Sequence, residues 1–139
     1  MKQVWVVDDD KSIRWVFEKA LSKEGLPYKI FSKADDVLDE FKKSKPQVLV
    51  SDIRMPGILG TELLKKVNEI DSTIPVIIMT AYSDLDSAVV AFQGGAYEYL
   101  PKPFDVNQAL DIIRKASSNS VKKNEISEKL LRTWLKCTI

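Results

Sequence analysis

Histidine is absent from this chain of 139 residues, so there is no imidazole for a catalytic triad, a histidine metal site or a phosphohistidine. Cysteine occurs once, at Cys137, which excludes an internal disulfide and is typical of a reducing compartment. Any nucleophilic or acid–base chemistry must therefore come from carboxylates, Lys, Ser, Thr or Tyr side chains.

Long apolar runs and an excess of one charge are also missing. No apolar run approaches the roughly 20 residues of a membrane-spanning helix, and the N-terminus lacks the core of a signal peptide. The net charge is +1, which gives no electrostatic reason for binding nucleic acid or an anionic membrane. We therefore expect a cytoplasmic protein that binds neither nucleic acid nor a membrane directly. The length of the chain suits one domain.

Short apolar runs alternate with longer segments of helical periodicity along the chain. Strands are predicted at 3–7, 28–32, 47–51, 75–80 and 96–100. Helices are predicted over 12–23, 34–43 and 106–116, and around the apolar positions 63–67 and 85–92. Gly25 is the expected C-terminal cap of the first helix, and the segment "PKPF" is expected to be a loop. Five βα units in series predict an α/β fold with a parallel sheet covered by helices on both faces.

Polar side chains follow the ends of these predicted strands. Ligands of an open parallel sheet bind beyond the carboxyl ends of its strands, so we expect these side chains to meet at one edge. They are Asp8, Asp9 and Asp10 after the first strand, Ser51 and Asp52 at the third, Thr80 at the fourth and Lys102 after the fifth.

Clustered carboxylates with open water positions suit a hard cation such as Mg²⁺, which would offset their mutual repulsion. A carboxylate beside Mg²⁺, with a Lys and a hydroxyl nearby, is a credible acceptor in phosphoryl transfer. Each residue alone has an ordinary explanation: an Asp before a helix is often an N-cap, and a Lys between prolines is usually solvated. Only the joint placement on successive strand ends favours a functional site.

The motifs "VVDDD", "SDIRMPG", "PVIIMTA" and "YLPKPF" occur in the order seen in receiver domains of two-component response regulators, which the sequence resembles from Gln3 to Ala116. The wording of "VWVVDDD", "SIRWV" and "SDIRMPG" is similar to the nitrogen-regulation (NtrC-type) subgroup. The resemblance implies a single flavodoxin-like (βα)5 domain, doubly wound, with strand order 2-1-3-4-5.

The same resemblance implies roles for individual residues. Asp52 matches the phospho-acceptor, Asp9 a direct Mg²⁺ ligand, and Asp8 its acidic neighbour, while the backbone carbonyl of Arg54 would complete the metal ligands. Asp10 lies outside the usual acidic pair, as a helix cap or as a third carboxylate linked through water.

Three further residues have implied roles in the switch. Thr80 matches the hydroxyl that gains a hydrogen bond to the phosphoryl group, and Tyr99 the aromatic residue whose position reports activation. Lys102 matches the cationic partner, and its bond to Pro103 is expected to be cis. Leu59 departs from the pattern, since an acidic residue is frequent there, and the roles of Tyr82 and Ser83 are not implied.

The resemblance also implies partners. Because the chain has no histidine, the phosphoryl donor would be an external sensor histidine kinase. Phosphorylation is expected to favour a homodimer through an apolar patch at Val90 and Ala91 beside the fifth strand and last helix; alternatively, Val90 is an isolated surface residue. NtrC-type proteins continue into an ATPase domain and a DNA-binding domain that regulate transcription, and the chain has no G-x-x-x-x-G-K-[ST] motif.

Residues 1–118 are predicted to form the receiver domain, and a polar break "SSNS" begins at Ser117. Residues 119–139 are interpreted as a linker, extension or truncated connection, with a helix for dimerisation as the alternative.

Two other functions remain open. One is a receiver-like binding module that is not phosphorylated. The other is a Mg²⁺-dependent aspartyl-phosphate hydrolase of the haloacid-dehalogenase type, whose D-x-D motif after the first strand would contain the nucleophile. Here the candidate nucleophile follows the third strand in "SDIR", without a second Asp two places on. We expect no enzyme activity beyond self-phosphorylation and autodephosphorylation.

Overall fold

The structure is a computed structural model that describes residues 3–55, 57–81 and 95–120, with the backbone alone at positions 81, 119 and 120. The predicted helix at 85–92, the patch at Val90 and Ala91, Tyr82 and Ser83, and residues 121–139 lie outside the described residues. The described elements are β1 (Val4–Val7), α1 (Lys11–Lys23), β2 (Tyr28–Phe31), α2 (Ala34–Phe41), β3 (Val48–Asp52), α3 (Gly60–Ile70), β4 (Val76–Ala81), β5 (Glu98–Lys102) and α4 (Val106–Ser120).

The five strands form one parallel sheet in the order β2-β1-β3-β4-β5, which confirms the predicted order 2-1-3-4-5. Val7, the last residue of β1, pairs with Ser51 of β3. Asp52 follows directly and pairs with Met79 of β4. Because the strands run in one direction and in this register, their carboxyl ends meet at one edge of the sheet.

The alternating side chains of each strand divide the core into two layers. One face packs against α2 and α3, where the buried Trp5 ring makes edge-on contacts with Phe31 and Phe41 at centroid distances of 5.4 and 5.1 Å. The other face packs against α1 and α4 through the side chains of Val6, Phe17, Leu21, Val50, Ile77, Leu110 and Ile113. All five residues of β3 are buried, which suits a central strand of a parallel sheet covered by helices on both faces.

The ends of α1 follow the sequence signals. The Asp10 side chain accepts a hydrogen bond from the Ser12 backbone N–H at 2.8 Å, so Asp10 is the N-cap. Gly25 has a φ of +69° after the helix, and its N–H donates to the Ser22 carbonyl. This left-handed conformation is the expected use of a glycine that ends a helix.

The predicted boundaries of the last strand and the last helix were wrong, and α2 ends at Phe41 rather than at position 43. The first two residues of "PKPF", Pro101 and Lys102, belong to β5, where Pro101 pairs with Thr80. A proline is tolerated there because β5 is an edge strand of the described sheet and needs no ladder N–H on its outer side. The predicted break at Ser117 is also absent, since α4 continues to Ser120 and the Ser118 hydroxyl donates to the Arg114 carbonyl within the helix.

Among the described residues, no helix combines the length and the apolar character that crossing a bilayer requires.

Candidate functional site

Three carboxylates from two neighbouring strands meet at the carboxyl edge of the sheet. Asp8 and Asp9 follow β1, Asp52 ends β3, and one carboxylate oxygen from each lies within 4.8 Å of the others. Asp8 is fully buried and Asp52 is 8% exposed, whereas Asp9 is open to solvent. The predicted acidic cluster is therefore present, with one member that solvent can reach.

Asp8 accepts three hydrogen bonds. Its Oδ1 accepts from the Asp10 backbone N–H at 2.9 Å, and its Oδ2 accepts from Lys102 Nζ at 2.8 Å. Its backbone carbonyl accepts from Arg14 Nη1, also at 2.8 Å. Because burying an unpaired carboxylate is costly, these donors explain how a fully buried Asp is tolerated at the end of a strand.

Lys102 joins the two buried carboxylates. Its ammonium lies 2.8 Å from Asp8 Oδ2 and 3.4 Å from Asp52 Oδ1. Burial lowers the pKa of Lys102, but the hydrogen bond and charge of Asp8, together with Asp52, outweigh burial, so the pKa is raised overall. The ammonium therefore stays charged. The Lys102–Pro103 peptide bond is cis, as predicted.

The pKa of Asp52 is higher than that of an ordinary Asp, because its environment favours the protonated carboxyl. Burial and the charge of Asp8 raise the pKa of Asp52 to about 6, against the lowering effects of Lys102 and of a hydrogen bond from the Arg54 backbone N–H. Asp52 is thus mainly ionised at neutral pH but is a stronger base than a solvated carboxylate.

Asp10 is separate from this cluster. Its carboxylate caps the N-terminus of α1. Among the described residues, the carboxylates close enough together to share a metal ion are those of Asp8, Asp9 and Asp52. Of the two alternatives for Asp10, a helix cap or a third carboxylate linked through water, the structure supports the helix cap.

Of the remaining predicted residues, Thr80 and Arg54 lie at or next to the same edge, whereas Tyr99 lies three residues before the end of β5. Thr80 is buried on β4, one residue beyond Met79, the partner of Asp52. Arg54 has an exposed side chain in the loop after β3. Tyr99 is half-buried on β5 and lines an open cavity of about 370 Å³ between β5 and α4. The implied roles of the Thr80 hydroxyl, the Arg54 carbonyl and the Tyr99 ring stay predictions.

Two residues that touch this site through the backbone were missed by the sequence analysis. A Cβ at Gly60 would lie 2.3 Å from the Asp52 carbonyl oxygen and 2.6 Å from Ile53 Cα, so only glycine fits at the start of α3. Arg14 contacts the Asp8 carbonyl from α1. In sequence, Gly60 resembles an ordinary loop glycine and Arg14 an ordinary solvated helix residue.

The family model described as "Response regulator receiver domain" matches residues 4–114. The chain belongs to the response regulator receiver domain family. The resemblance on which the sequence analysis relied is thereby confirmed, and the receiver fold agrees with the observed sheet order.

Similar proteins add detail to this assignment. The DNA-binding transcriptional regulator NtrC of Proteus hauseri is 56% identical over 113 residues, which are 81% of this chain and 24% of that protein. NtrC of Escherichia coli K12 is 53% identical over 84% of this chain and 25% of its own length. The receiver domain therefore spans about a quarter of the NtrC relatives that it matches.

A solved structure agrees with the NtrC likeness. The apo receiver domain of nitrogen regulatory protein C, determined in solution, superposes with a TM-score of 0.78 at 52% identity. The match covers 85% of this chain and 95% of that one. The predicted NtrC-type subgroup is thus confirmed for the receiver domain.

Proposed function

We propose that this receiver domain is a Mg²⁺-dependent switch that accepts a phosphoryl group on Asp52. The observation that supports it most is the arrangement of Lys102 between Asp8 and Asp52, beside three carboxylates within 4.8 Å of one another. This set combines an anionic nucleophile, a fixed cation and a group of oxygen ligands, which are the parts that phosphoryl transfer needs.

The hydrogen bonds favour Asp52 over its neighbours as the acceptor. Both carboxylate oxygens of Asp8 are engaged, one by the Asp10 N–H and one by Lys102. Asp9 is exposed to solvent, so it lacks the enclosure by protein that surrounds Asp52. Asp52 lies further from the ammonium, and its raised pKa makes its carboxylate a more basic nucleophile than an ordinary solvated Asp.

In the proposed step, an ionised Asp52 oxygen attacks the phosphorus of a phosphohistidine or a small acyl phosphate. An O–P bond forms to Asp52, and the donor's N–P or O–P bond breaks with its electron pair remaining on the donor atom. Lys102 neutralises charge at the acceptor from its position 3.4 Å away. The Thr80 hydroxyl would donate a hydrogen bond to the new phosphoryl oxygens.

Asp8, Asp9, Asp52 and the Arg54 carbonyl would hold the metal ion. The described donors are all oxygen atoms, one of them on a solvent-exposed residue, which fits a hard cation that keeps some of its water. When bound, Mg²⁺ would neutralise the acceptor and phosphoryl oxygens.

The donor in the cell is proposed to be a sensor histidine kinase, because this chain has no histidine of its own. The NtrC relatives are named DNA-binding transcriptional regulators, and they are about four times as long as the matched region. We therefore propose that phosphorylation of this cytoplasmic domain controls a transcriptional output outside the sequence, without nucleic-acid binding by the receiver itself.

Phosphorylation is further proposed to promote a homodimer through β5, α4 and the predicted apolar patch at Val90 and Ala91. Sedimentation with and without a phosphoryl mimic tests this, and the mimic should shift the protein from monomer to dimer. A Val90→Asp variant that still associates normally would exclude the proposed patch.

The chemistry is proposed to stop at the domain's own phosphorylation and dephosphorylation, without turnover of a separate substrate. Incubation with acetyl phosphate and Mg²⁺, followed by intact mass measurement, distinguishes the alternatives. Wild type should gain one phosphoryl group and Asp52→Asn none. No gain in wild type under any condition would favour the unphosphorylated binding module, whereas rapid, continuous consumption of acetyl phosphate would favour a hydrolase.

A further inference from the structure

Arg14 connects α1 to the turn that carries two of the clustered carboxylates. It lies in the second turn of the helix, is half-buried, and donates from Nη1 to the Asp8 backbone carbonyl at 2.8 Å. A charged donor makes a hydrogen bond of this kind stronger than a neutral one. The contact is to the backbone, so Arg14 leaves both Asp8 carboxylate oxygens to their other partners.

The hydrogen bond acts on the orientation of Asp9. The Asp8 carbonyl belongs to the planar peptide unit that runs from Asp8 Cα to Asp9 Cα, so fixing that oxygen fixes the plane. The next peptide unit is fixed as well, because the Asp10 N–H donates to Asp8 Oδ1 at 2.9 Å. Asp9 is therefore the residue between two restrained peptide planes.

Asp9 depends on this restraint more than its neighbours do. Its carboxylate is exposed, whereas Asp8 and Asp52 are enclosed by protein. The direction of the Asp9 side chain thus depends mainly on the backbone that carries it. A metal site needs its ligands held close to one geometry, and Mg²⁺ tolerates little deviation.

We propose that Arg14 is a positioning residue for the metal site, which orients Asp9 through the Asp8–Asp9 peptide without touching the ion. This inference rests on the proposed function, since it assumes that the acidic cluster binds Mg²⁺. Groups that orient metal ligands from outside typically change metal affinity by about 10–100-fold when they are removed.

Whether replacing Arg14 strengthens or weakens Mg²⁺ binding distinguishes a positioning role from a purely electrostatic one. Arg14 is a cation beside an acidic cluster, and its charge alone opposes the binding of a second cation. Removing the charge should therefore strengthen Mg²⁺ binding if Arg14 acts only through its field. Removing a positioning contact should weaken it.

Calorimetric titration of the metal-free protein with MgCl₂ measures this directly. Arg14→Met keeps the length and helix propensity of the side chain but removes the donor. It should weaken Mg²⁺ binding by about tenfold, and Arg14→Lys should recover part of the loss because it keeps a donor. Lys33→Met is the matched control, because Lys33 lines the same cavity as Arg14 and Asp9, about 290 Å³ in volume. It should bind Mg²⁺ as wild type or slightly more tightly.

A second measurement distinguishes positioning from a loss of folding. Amide NMR spectra of Arg14→Met should show changes concentrated at Asp9 and Asp10, with the sheet unchanged, and excess Mg²⁺ should restore phosphorylation by acetyl phosphate. Unchanged or tighter Mg²⁺ binding by Arg14→Met would overturn the inference, and so would changes spread over the whole spectrum. If wild type itself binds no Mg²⁺, the proposed function fails instead.

Discussion

Lys102 donates to Asp8 at 2.8 Å across 94 residues of sequence, so the last strand of the sheet is joined to the first by a partly buried ion pair. The strands themselves are not neighbours, because β3 and β4 lie between them. The contact therefore crosses the carboxyl edge of the sheet over Asp52, whose Oδ1 lies 3.4 Å from the same ammonium. We therefore expect the stability of the domain and its proposed chemistry to depend on the same cation.

Replacing Lys102 with Met should destabilise the metal-free domain by about 2–4 kcal/mol, because it leaves buried Asp8 and Asp52 without their shared cation. Urea unfolding in the presence of a chelator measures the change. Lys42→Met is the control: Lys42 pairs with Asp39 at 3.7 Å, and both side chains are largely exposed, so its loss should have no measurable effect. Equal stability of Lys102→Met and wild type would contradict the assigned role of Lys102.

Asp52→Asn should stabilise the metal-free protein at pH 7.5. The pKa of Asp52 is raised from 3.8 to about 6, so the folded state holds this proton more tightly than the unfolded state does. The resulting destabilisation is fully present above about pH 6 and disappears as the pH falls towards 4. A shift of this size corresponds to about 1–3 kcal/mol.

Unfolding free energies of wild type and Asp52→Asn at several pH values test this. The advantage of the variant should shrink between pH 7 and pH 5, and added Mg²⁺ should reduce it at pH 7.5 by stabilising wild type. A constant difference across this range would show that the Asp52 carboxyl is not the source.

The order of the predicted strands was enough to bring most of the site residues together, but not to assign every carboxylate. Asp8, Asp9, Asp52 and Lys102 could be predicted to meet because parallel strands share one carboxyl edge, whatever the details of packing. Which of the three consecutive Asp residues would cap α1 could not be predicted from the pattern. The backbone turn after β1 decides it by directing the Asp10 side chain to the start of the helix.

The two site residues that could not be predicted from the sequence both act through backbone contacts. Gly60 and Arg14 act on carbonyl groups of Asp52 and Asp8, and every residue has a carbonyl, so no side-chain pattern marks these contacts. The extension of β5 through Pro101 was missed for a related reason. A proline usually ends a strand, and only its place at an edge of the sheet makes it acceptable.

Gly60→Ala should destabilise the domain by several kcal/mol and slow phosphorylation of Asp52, because the new methyl group would overlap the Asp52 carbonyl at 2.3 Å. Gly57→Ala provides the contrast. Gly57 has a φ of +88° with open space around it, so its substitution should cost only about 1 kcal/mol in backbone strain and leave the phosphorylation rate unchanged. Similar effects of both variants on the rate would contradict the close-approach explanation.

Leu59→Ser should stabilise the domain by about 0.5–1 kcal/mol by supplying a missing N-cap to α3. Leu59 has the extended conformation of an N-cap but forms no side-chain cap hydrogen bond, and it is 44% exposed. With Glu62 three residues on, serine would create a capping box. Thermal unfolding measures the gain. Leu59→Ala, which removes the same apolar surface without adding a cap, should show none.

We propose that Asp9, and not its neighbour Asp10, belongs with Asp52 to a metal-dependent phospho-acceptor site. The most direct test is intact mass after incubation with acetyl phosphate and Mg²⁺, for wild type, Asp9→Ala and Asp10→Ala side by side, with the modified residue located by peptide mapping. Wild type and Asp10→Ala should gain one phosphoryl group on Asp52 and lose the gain with a chelator, and Asp9→Ala should gain none. Equal gains by Asp9→Ala and wild type, or a phosphoryl group on another residue, would contradict the account.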